Sequence, residues 1–150
     1  MNFEIRLLKG KIAEDIVECM FKEAKIEIIR TGYEHNFEHL LNRFNVKGKS
    51  IEELRRLPDF MFIQDNRSYF LEVKFRKDMF NFDIKKLKSK YSDFVIVVYP
   101  EGISIISLPL ADEKKELNIF PLSLYDDMIN INLEIIDKYE GMVKRIYKNL

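Results

Sequence analysis

Residues 57–77 read LPDFMFIQDNRSYFLEVKFRK and contain two apolar runs, at 59–64 and 68–75. The polar triplet Asp65-Asn66-Arg67 separates them, and Asp and Asn are residues that tight turns favour. Two apolar runs joined by so short a polar segment predict a β-hairpin. This hairpin decides the fold, because it sets which polar side chains share one patch of the sheet.

Three ionisable residues of this hairpin are predicted to lie on one face. Glu72 and Lys74 are two positions apart on a strand, so their side chains project from the same side. A two-residue loop at 66–67 places Asp59 opposite Lys74, and one at 65–66 places it opposite Glu72. In both registers Asp59 shares their face, with directly opposed β-carbons about 4.5–5.5 Å apart. A loop changed by one residue would send Asp59 to the other face.

Asp59 and Glu72 on one patch of sheet would repel each other unless positive charge lies nearby. Lys74 supplies one charge, and a divalent cation would supply two more. Mg²⁺ and Mn²⁺ favour carboxylate oxygens, polarise a phosphoryl oxygen and lower the pKa of a bound water. A nearby lysine can offset the charge that develops on phosphate. The pattern indicates a phosphodiester-hydrolysing site, although the same residues would also form an ion pair on an edge hairpin.

Pro58-Asp59, the hairpin and Glu72-Val73-Lys74 together resemble the PD-(D/E)xK motif of the restriction-endonuclease-like nucleases. The resemblance implies that Asp59 and Glu72 bind Mg²⁺ or Mn²⁺, with Val73 lending its backbone carbonyl. It implies that Lys74 assists the attacking water. It also implies an αβββαβ core, DNA as substrate with RNA as an alternative, and a homodimer in enzymes that cut both strands.

A second resemblance lies upstream, in Lys9-Gly10-Lys11-Ile12-Ala13-Glu14. This segment is similar to the G-x-x-A-E start of the first helix in archaeal Holliday-junction resolvases and related archaeal and viral nucleases. The resemblance implies that Glu14 points into the metal site. An exposed helix acid is the alternative, and helix spacing alone does not choose among Glu14, Asp15 and Glu18.

The rest of the chain predicts an α/β protein with a central mixed sheet flanked by helices, in a single domain spanning residues 1–150. Helical spacing of apolar residues predicts a first helix and a C-terminal helix that is interrupted at Gly141. Cys19 lies within the first helix and is predicted to be buried in the protein core. The predicted helices cover 8–24, 35–44, 50–57 and 80–91 and the C-terminal stretch, and the further strands cover 25–33, 93–99 and 103–108. The helices at 35–44 and 50–57 form an insertion before the motif hairpin.

Composition is that of an ordinary globular protein, with 150 residues, 47% hydrophobic and 33% charged. No apolar run reaches the 18 or more residues that a membrane-spanning helix needs. The early acidic residues at the N-terminus are unlike those of a signal peptide. A single cysteine excludes an intramolecular disulfide framework and a cysteine-rich metal site. We therefore expect a cytoplasmic protein.

Net charge is zero, which is unusual for a nucleic-acid-binding protein, yet basic residues are concentrated locally. Between residues 71 and 92, seven basic residues stand against three acidic ones. By analogy with the nucleases, Arg76, Lys77, Lys85 and Lys88 would contact the nucleic-acid backbone. The alternative is a solvated lysine-rich face.

Two other functions compete with a nuclease. His35-Asn36-Phe37-Glu38-His39 matches H-x-x-E-H, in which two histidines four apart on a helix could share zinc while Glu38 activates water. Such peptidases need a further glutamate and a larger domain than 150 residues leave room for. A catalytically inactive nuclease fold, used for nucleic-acid binding or assembly, is the stronger alternative, because a fold does not fix a function.

Overall fold

Six strands in the described part of the chain form one mixed sheet, with helices at both ends of the sequence. The computed structural model describes residues 2–32, 47–78, 92–108, 119–124 and 129–150. The helices are α1 (Phe3–Glu23), α2 (Lys49–Arg55) and α3 (Leu133–Lys148), with a 3₁₀ turn at Leu122–Leu124. The strands are β1 (Glu27–Arg30), β2 (Phe60–Gln64), β3 (Arg67–Phe75), β4 (Phe94–Tyr99), β5 (Gly102–Ser107) and β6 (Ile119–Pro121).

Strand order in the sheet follows the chain, from β1 to β6. Neighbouring strands are antiparallel except β3 and β4, which pair in parallel from Leu71↔Phe94 to Phe75↔Val98. Parallel neighbours need a crossover connection, which here occupies residues 76–93. The predicted helices at 80–91 and 35–44 lie outside the described residues. The α/β class and the mixed sheet are confirmed.

The motif hairpin closes through a two-residue turn. Gln64 pairs with Arg67, and both intervening residues have positive φ, 51° at Asp65 and 60° at Asn66. Positive φ at both central positions defines a type I′ turn, whose twist matches that of the flanking strands. The structure therefore selects the register with its loop at 65–66.

The main core lies between one face of the sheet and helices α1 and α3. It contains the buried side of α1 together with alternate residues of the strands and the inner side of α3. Phe62 is at its centre, with ring centroids 5.2 Å from both Phe21 and Tyr69 and 6.1 Å from Phe94. On the opposite face of the sheet, buried Val95, Val97 and Ile106 form a smaller cluster.

Helix α1 ends in a tight reversal that leads directly into β1. Lys25 has φ 60°, and the Ile26 N–H donates to the Phe21 carbonyl at 3.0 Å. The Lys25 N–H donates to the Lys22 carbonyl at 3.0 Å, which completes a Schellman motif. Because of this reversal, β1 packs against α1, and side chains of the two elements contact each other.

Three sequence-based predictions about these elements are wrong. Helix α1 begins at Phe3 instead of residue 8, because the Asn2 side chain accepts the Glu4 N–H at 3.1 Å and caps an extra turn. Helix α3 continues through Gly141 without a break. Cys19 is exposed, not in the core. No helix among these described ranges is long and apolar enough to cross a membrane.

Candidate active site

Asp59 lies one residue before β2, where the end of β1 fixes its backbone. The Asp59 carbonyl accepts hydrogen bonds from the backbone N–H groups of Thr31 at 2.9 Å and Gly32 at 3.2 Å. The Thr31 hydroxyl donates to the Pro58 carbonyl at 2.8 Å. Three hydrogen bonds thus hold the carbonyls of Pro58 and Asp59 before the strand begins.

Glu72 and Lys74 occupy the same face of β3, as the period of a strand requires. Extending the register Phe60↔Leu71 by one residue places Asp59 opposite Glu72. Glu72 is only 5% exposed, and the Lys74 ammonium donates to its carboxylate. The buried carboxylate therefore has a cationic partner, which a charge in such a position needs.

Val73 contributes its backbone to the site. Its N–H donates to the Asp59 carboxylate at 2.8 Å, beyond the last β2–β3 pair at Phe60↔Leu71. In a strand, the N–H and C=O of one residue point towards the same neighbour. The Val73 carbonyl therefore lies on the same side of β3 as the N–H that binds Asp59.

The pKa of Asp59 is raised from 3.8 to about 7, chiefly by burial and then by the negative charge of Glu72, with a smaller contribution from Glu14. The Val73 N–H and the Lys74 ammonium oppose the increase, because both stabilise the ionised carboxylate. The protein thus places a carboxylate where its ionised form is disfavoured without an added cation, as at many functional sites.

Glu14, on α1, is a further acidic residue whose charge acts on Asp59. Its side chain is 14% exposed and forms an ion pair with Arg30 of β1, with 3.4 Å between Oε2 and Nη1. Neighbouring Asp15 is 68% exposed, and Glu18 is held by Lys22 at 2.9 Å. Of the three acids that the sequence left open, Glu14 is the one whose charge raises the pKa of Asp59.

The sequence alone did not single out Arg30, which binds acidic residues of α1, or Thr31, which holds the backbone of Pro58 and Asp59. A signal for Arg30 was present: it lies two positions after Ile28, and Ile28 is buried against α1. Alternate residues share a face, so a charged residue at this position had to meet partners on the helix. Thr31 carried no comparable signal.

The predicted nucleic-acid-binding residues are only partly described. Arg76 is half-buried, donates from Nη1 to the Phe75 carbonyl at 2.8 Å, and has a pKa lowered by burial. Lys77 is exposed beside it. Lys85 and Lys88 lie outside the described residues, as does the segment 35–39 with its two histidines.

Asp59, Glu72 and the Val73 carbonyl provide only hard oxygen donors. Among the residues that the structure describes, no three His, Cys, Asp or Glu side chains converge as a ready metal cluster. Mg²⁺ does not require such a cluster, since one or two protein carboxylates hold it while it retains water. The donor set therefore fits Mg²⁺ or Mn²⁺ better than zinc, which favours nitrogen and sulfur ligands.

The sequence matches no protein-family model, and a search of curated proteins returns no significant match. The functional argument therefore depends on the chemistry of the site itself.

Proposed function

We propose that this protein is a Mg²⁺- or Mn²⁺-dependent nuclease that hydrolyses phosphodiester bonds in DNA. The observation that carries the proposal is the pairing of Asp59 with a buried Glu72 that binds Lys74. Two carboxylates and a lysine on one face of a hairpin are a costly arrangement in an apolar sheet. A phosphodiesterase site accounts for all three.

The order and pairing of the strands support the same proposal. We propose a restriction-endonuclease-like αβββαβ core. In this core, α1, β1, β2 and β3 correspond to the initial αβββ elements, and β4 corresponds to the final strand. The antiparallel β1–β3 meander followed by a parallel β4 agrees with that core. The remaining helix of that core corresponds to the helix predicted at 80–91, which lies outside the described residues.

Each site residue has a distinct role in this proposal. Asp59 and Glu72 would hold the cation, with the Val73 carbonyl facing the same side. When bound, the cation polarises the phosphodiester and lowers the pKa of a coordinated water. Lys74 would position the attacking water and offset charge that develops on the phosphate. Its bond to Glu72 keeps the ammonium at the site.

The decisive experiment is a cleavage assay with Mg²⁺ or Mn²⁺ that compares wild type with Lys74→Met. Methionine keeps the apolar stem of lysine and removes the ammonium group. We expect loss of about 10²-fold or more in rate, because a charge-stabilising donor is removed from the reacting phosphate. The substrate panel holds linear duplex, single-stranded, flap and four-way-junction DNA, together with RNA.

Lys138→Met is the matched control, because Lys138 pairs with Glu23 at the contact between α1 and α3. It should cleave like wild type. Equal cleavage by the Lys74 variant, or no cleavage of any substrate by wild type, would contradict the proposal. A nucleic-acid-binding domain without catalytic activity would then be the better interpretation.

A further inference from the structure

The first two turns of α1 lie outside the packed part of the protein. All residues from 2 to 8 are exposed, and along this helix the core cluster begins at Ile12. These turns nevertheless carry large apolar side chains: Phe3 is 70% exposed, Leu7 51% and Leu8 47%. Neighbouring apolar side chains that a folded protein leaves in water mark an interaction surface.

Leu7 and Leu8 lie between two opposite charges on one side of the helix. Seven residues make almost two full turns, so Glu4 and Lys11 project in nearly the same direction, with one leucine on either side of the line between them. Ala13 and Met20 are buried and mark the opposite side of α1. The stripe formed by Glu4, Leu7, Leu8 and Lys11 therefore faces away from the body of the protein.

The charges of this stripe are available to a partner. Neither Glu4 nor Lys11 forms an ion pair with another described residue. The acidic residues that follow on α1 are bound by Arg30. The inner side of α3 is buried in the main core of the same chain. The stripe is thus the part of the helical surface that is apolar and exposed and also carries both signs of charge.

The stripe is complementary to itself. Two copies of α1 can lie antiparallel about a two-fold axis that passes between Leu7 and Leu8, as in other symmetric dimers. Glu4 of each copy then lies opposite Lys11 of the other, and Leu7 of each lies opposite Leu8 of the other. A parallel arrangement would instead bring like charges together, which is unfavourable.

We propose that the stripe on α1 binds a second copy of this chain as an antiparallel helix pair. The inference does not depend on the proposed function. The occupant is a second copy because the charges match only when the stripe meets its own sequence in the reverse direction. Since a pair of short helices buries little surface, the dimer forms reversibly and its population depends on concentration.

The first test is sedimentation equilibrium of the full chain from about 1 to 500 µM, the range in which weak dimers dissociate. We expect wild type to pass from monomer to dimer. Leu7→Gln should weaken dimerisation about tenfold or more, because each dimer loses two buried leucine side chains. Leu133→Gln is the matched control, since Leu133 is 54% exposed at the start of α3, and it should dimerise like wild type.

Charge reversal tests the antiparallel pairing itself, at low ionic strength where such contacts are strongest. Glu4→Lys and Lys11→Glu each place like charges at both contacts, so each should weaken dimerisation about tenfold or more. An equal mixture of the two variants restores opposite charges at both contacts. The mixture should therefore dimerise at concentrations where each variant alone is monomeric.

A wild type that stays monomeric throughout this range would overturn the proposal, and the apolar end of α1 would then require a partner of another kind. Dimerisation that Leu7→Gln leaves unchanged would place the interface elsewhere. A mixture that associates no better than its components would refute the antiparallel pairing. If Leu7→Gln fails to fold, Leu8→Gln removes the other half of the same contact. All these variants keep Asp59, Glu72 and Lys74, so no outcome bears on the proposed nuclease.

Discussion

Replacing Asp59 by asparagine removes the negative charge that faces Glu72 while keeping an oxygen that can accept the Val73 N–H. In the metal-free protein the two carboxylates have no divalent cation between them, so the charge of Asp59 is destabilising. We therefore expect Asp59→Asn to be more stable than wild type at neutral and alkaline pH. Loss of a residue that we place in the active site would thus increase stability.

The size of the effect follows from the pKa of Asp59, which burial and then Glu72 raise from 3.8 to about 7. Below pH 4 the carboxyl is protonated in both folded and unfolded states, and it costs nothing. Between pH 3.8 and about pH 7, Asp59 is ionised in the unfolded chain but keeps its proton in the folded protein. The free energy of unfolding therefore falls as the pH rises through this range. At about 1.4 kcal/mol per pH unit the full cost is about 2–4 kcal/mol, the lower figure allowing for solvent screening.

Urea denaturation at pH 5 and at pH 8, in buffer containing a chelator, measures this directly. The stability advantage of Asp59→Asn over wild type should widen by about 1–3 kcal/mol between the two pH values. Asp137→Asn makes the same change at an exposed position on α3 and controls for effects of pH on the rest of the molecule.

Two results would refute the reasoning. One is a variant that is less stable than wild type by the same amount at both pH values, which would show that Asp59 mainly supplies a hydrogen-bond acceptor. The other is an advantage that shrinks as pH rises, which would mean that the folded protein stabilises the ionised form of Asp59.

Three further predictions concern metal binding and the fold. At a Mn²⁺ concentration 100 times the dissociation constant, wild type should gain about 2.7 kcal/mol in a thermal-shift assay, and Asp59→Ala should gain nothing. Lys25→Gly should stabilise the protein by about 1 kcal/mol, raising Tm by roughly 2–4 °C, because Lys25 has φ 60°; a lower Tm would show that its side chain matters more. Tyr147→Phe should cost about 1–2 kcal/mol in urea denaturation, because its hydroxyl donates to the Lys9 carbonyl at 2.8 Å; an unchanged midpoint would exclude that bond as a stabilising contact.

Much of the fold was predictable because it depends on local patterns. The hairpin followed from two apolar runs around a polar turn, and the common face of Asp59, Glu72 and Lys74 followed from the period of a strand. Strand β6 could not be predicted, since it has three residues and contains Pro121. Its pairing with β5 is a contact between distant segments.

Helix α1 shows where pattern reasoning reaches its limit. Its apolar spacing identified the inner face, yet one residue along a helix is a turn of about 100°, so a neighbour of a core residue can face solvent. Cys19 precedes buried Met20 and is exposed. The same geometry left Glu14, Asp15 and Glu18 equivalent, and only the tertiary structure shows that the charge of Glu14 acts on Asp59.

The sequence by itself determined the elements, the hairpin and the side of the sheet on which the three ionisable residues lie, because these depend on neighbours within a few positions. Only the tertiary structure decided that Asp59 faces Glu72, that Glu72 is buried, and that Arg30 binds the acidic turn of α1. Asp59 and Glu72 are more than ten positions apart in the chain, and so are Arg30 and the acidic residues of α1. Their geometry depends on how helix and sheet pack, which no local pattern encodes.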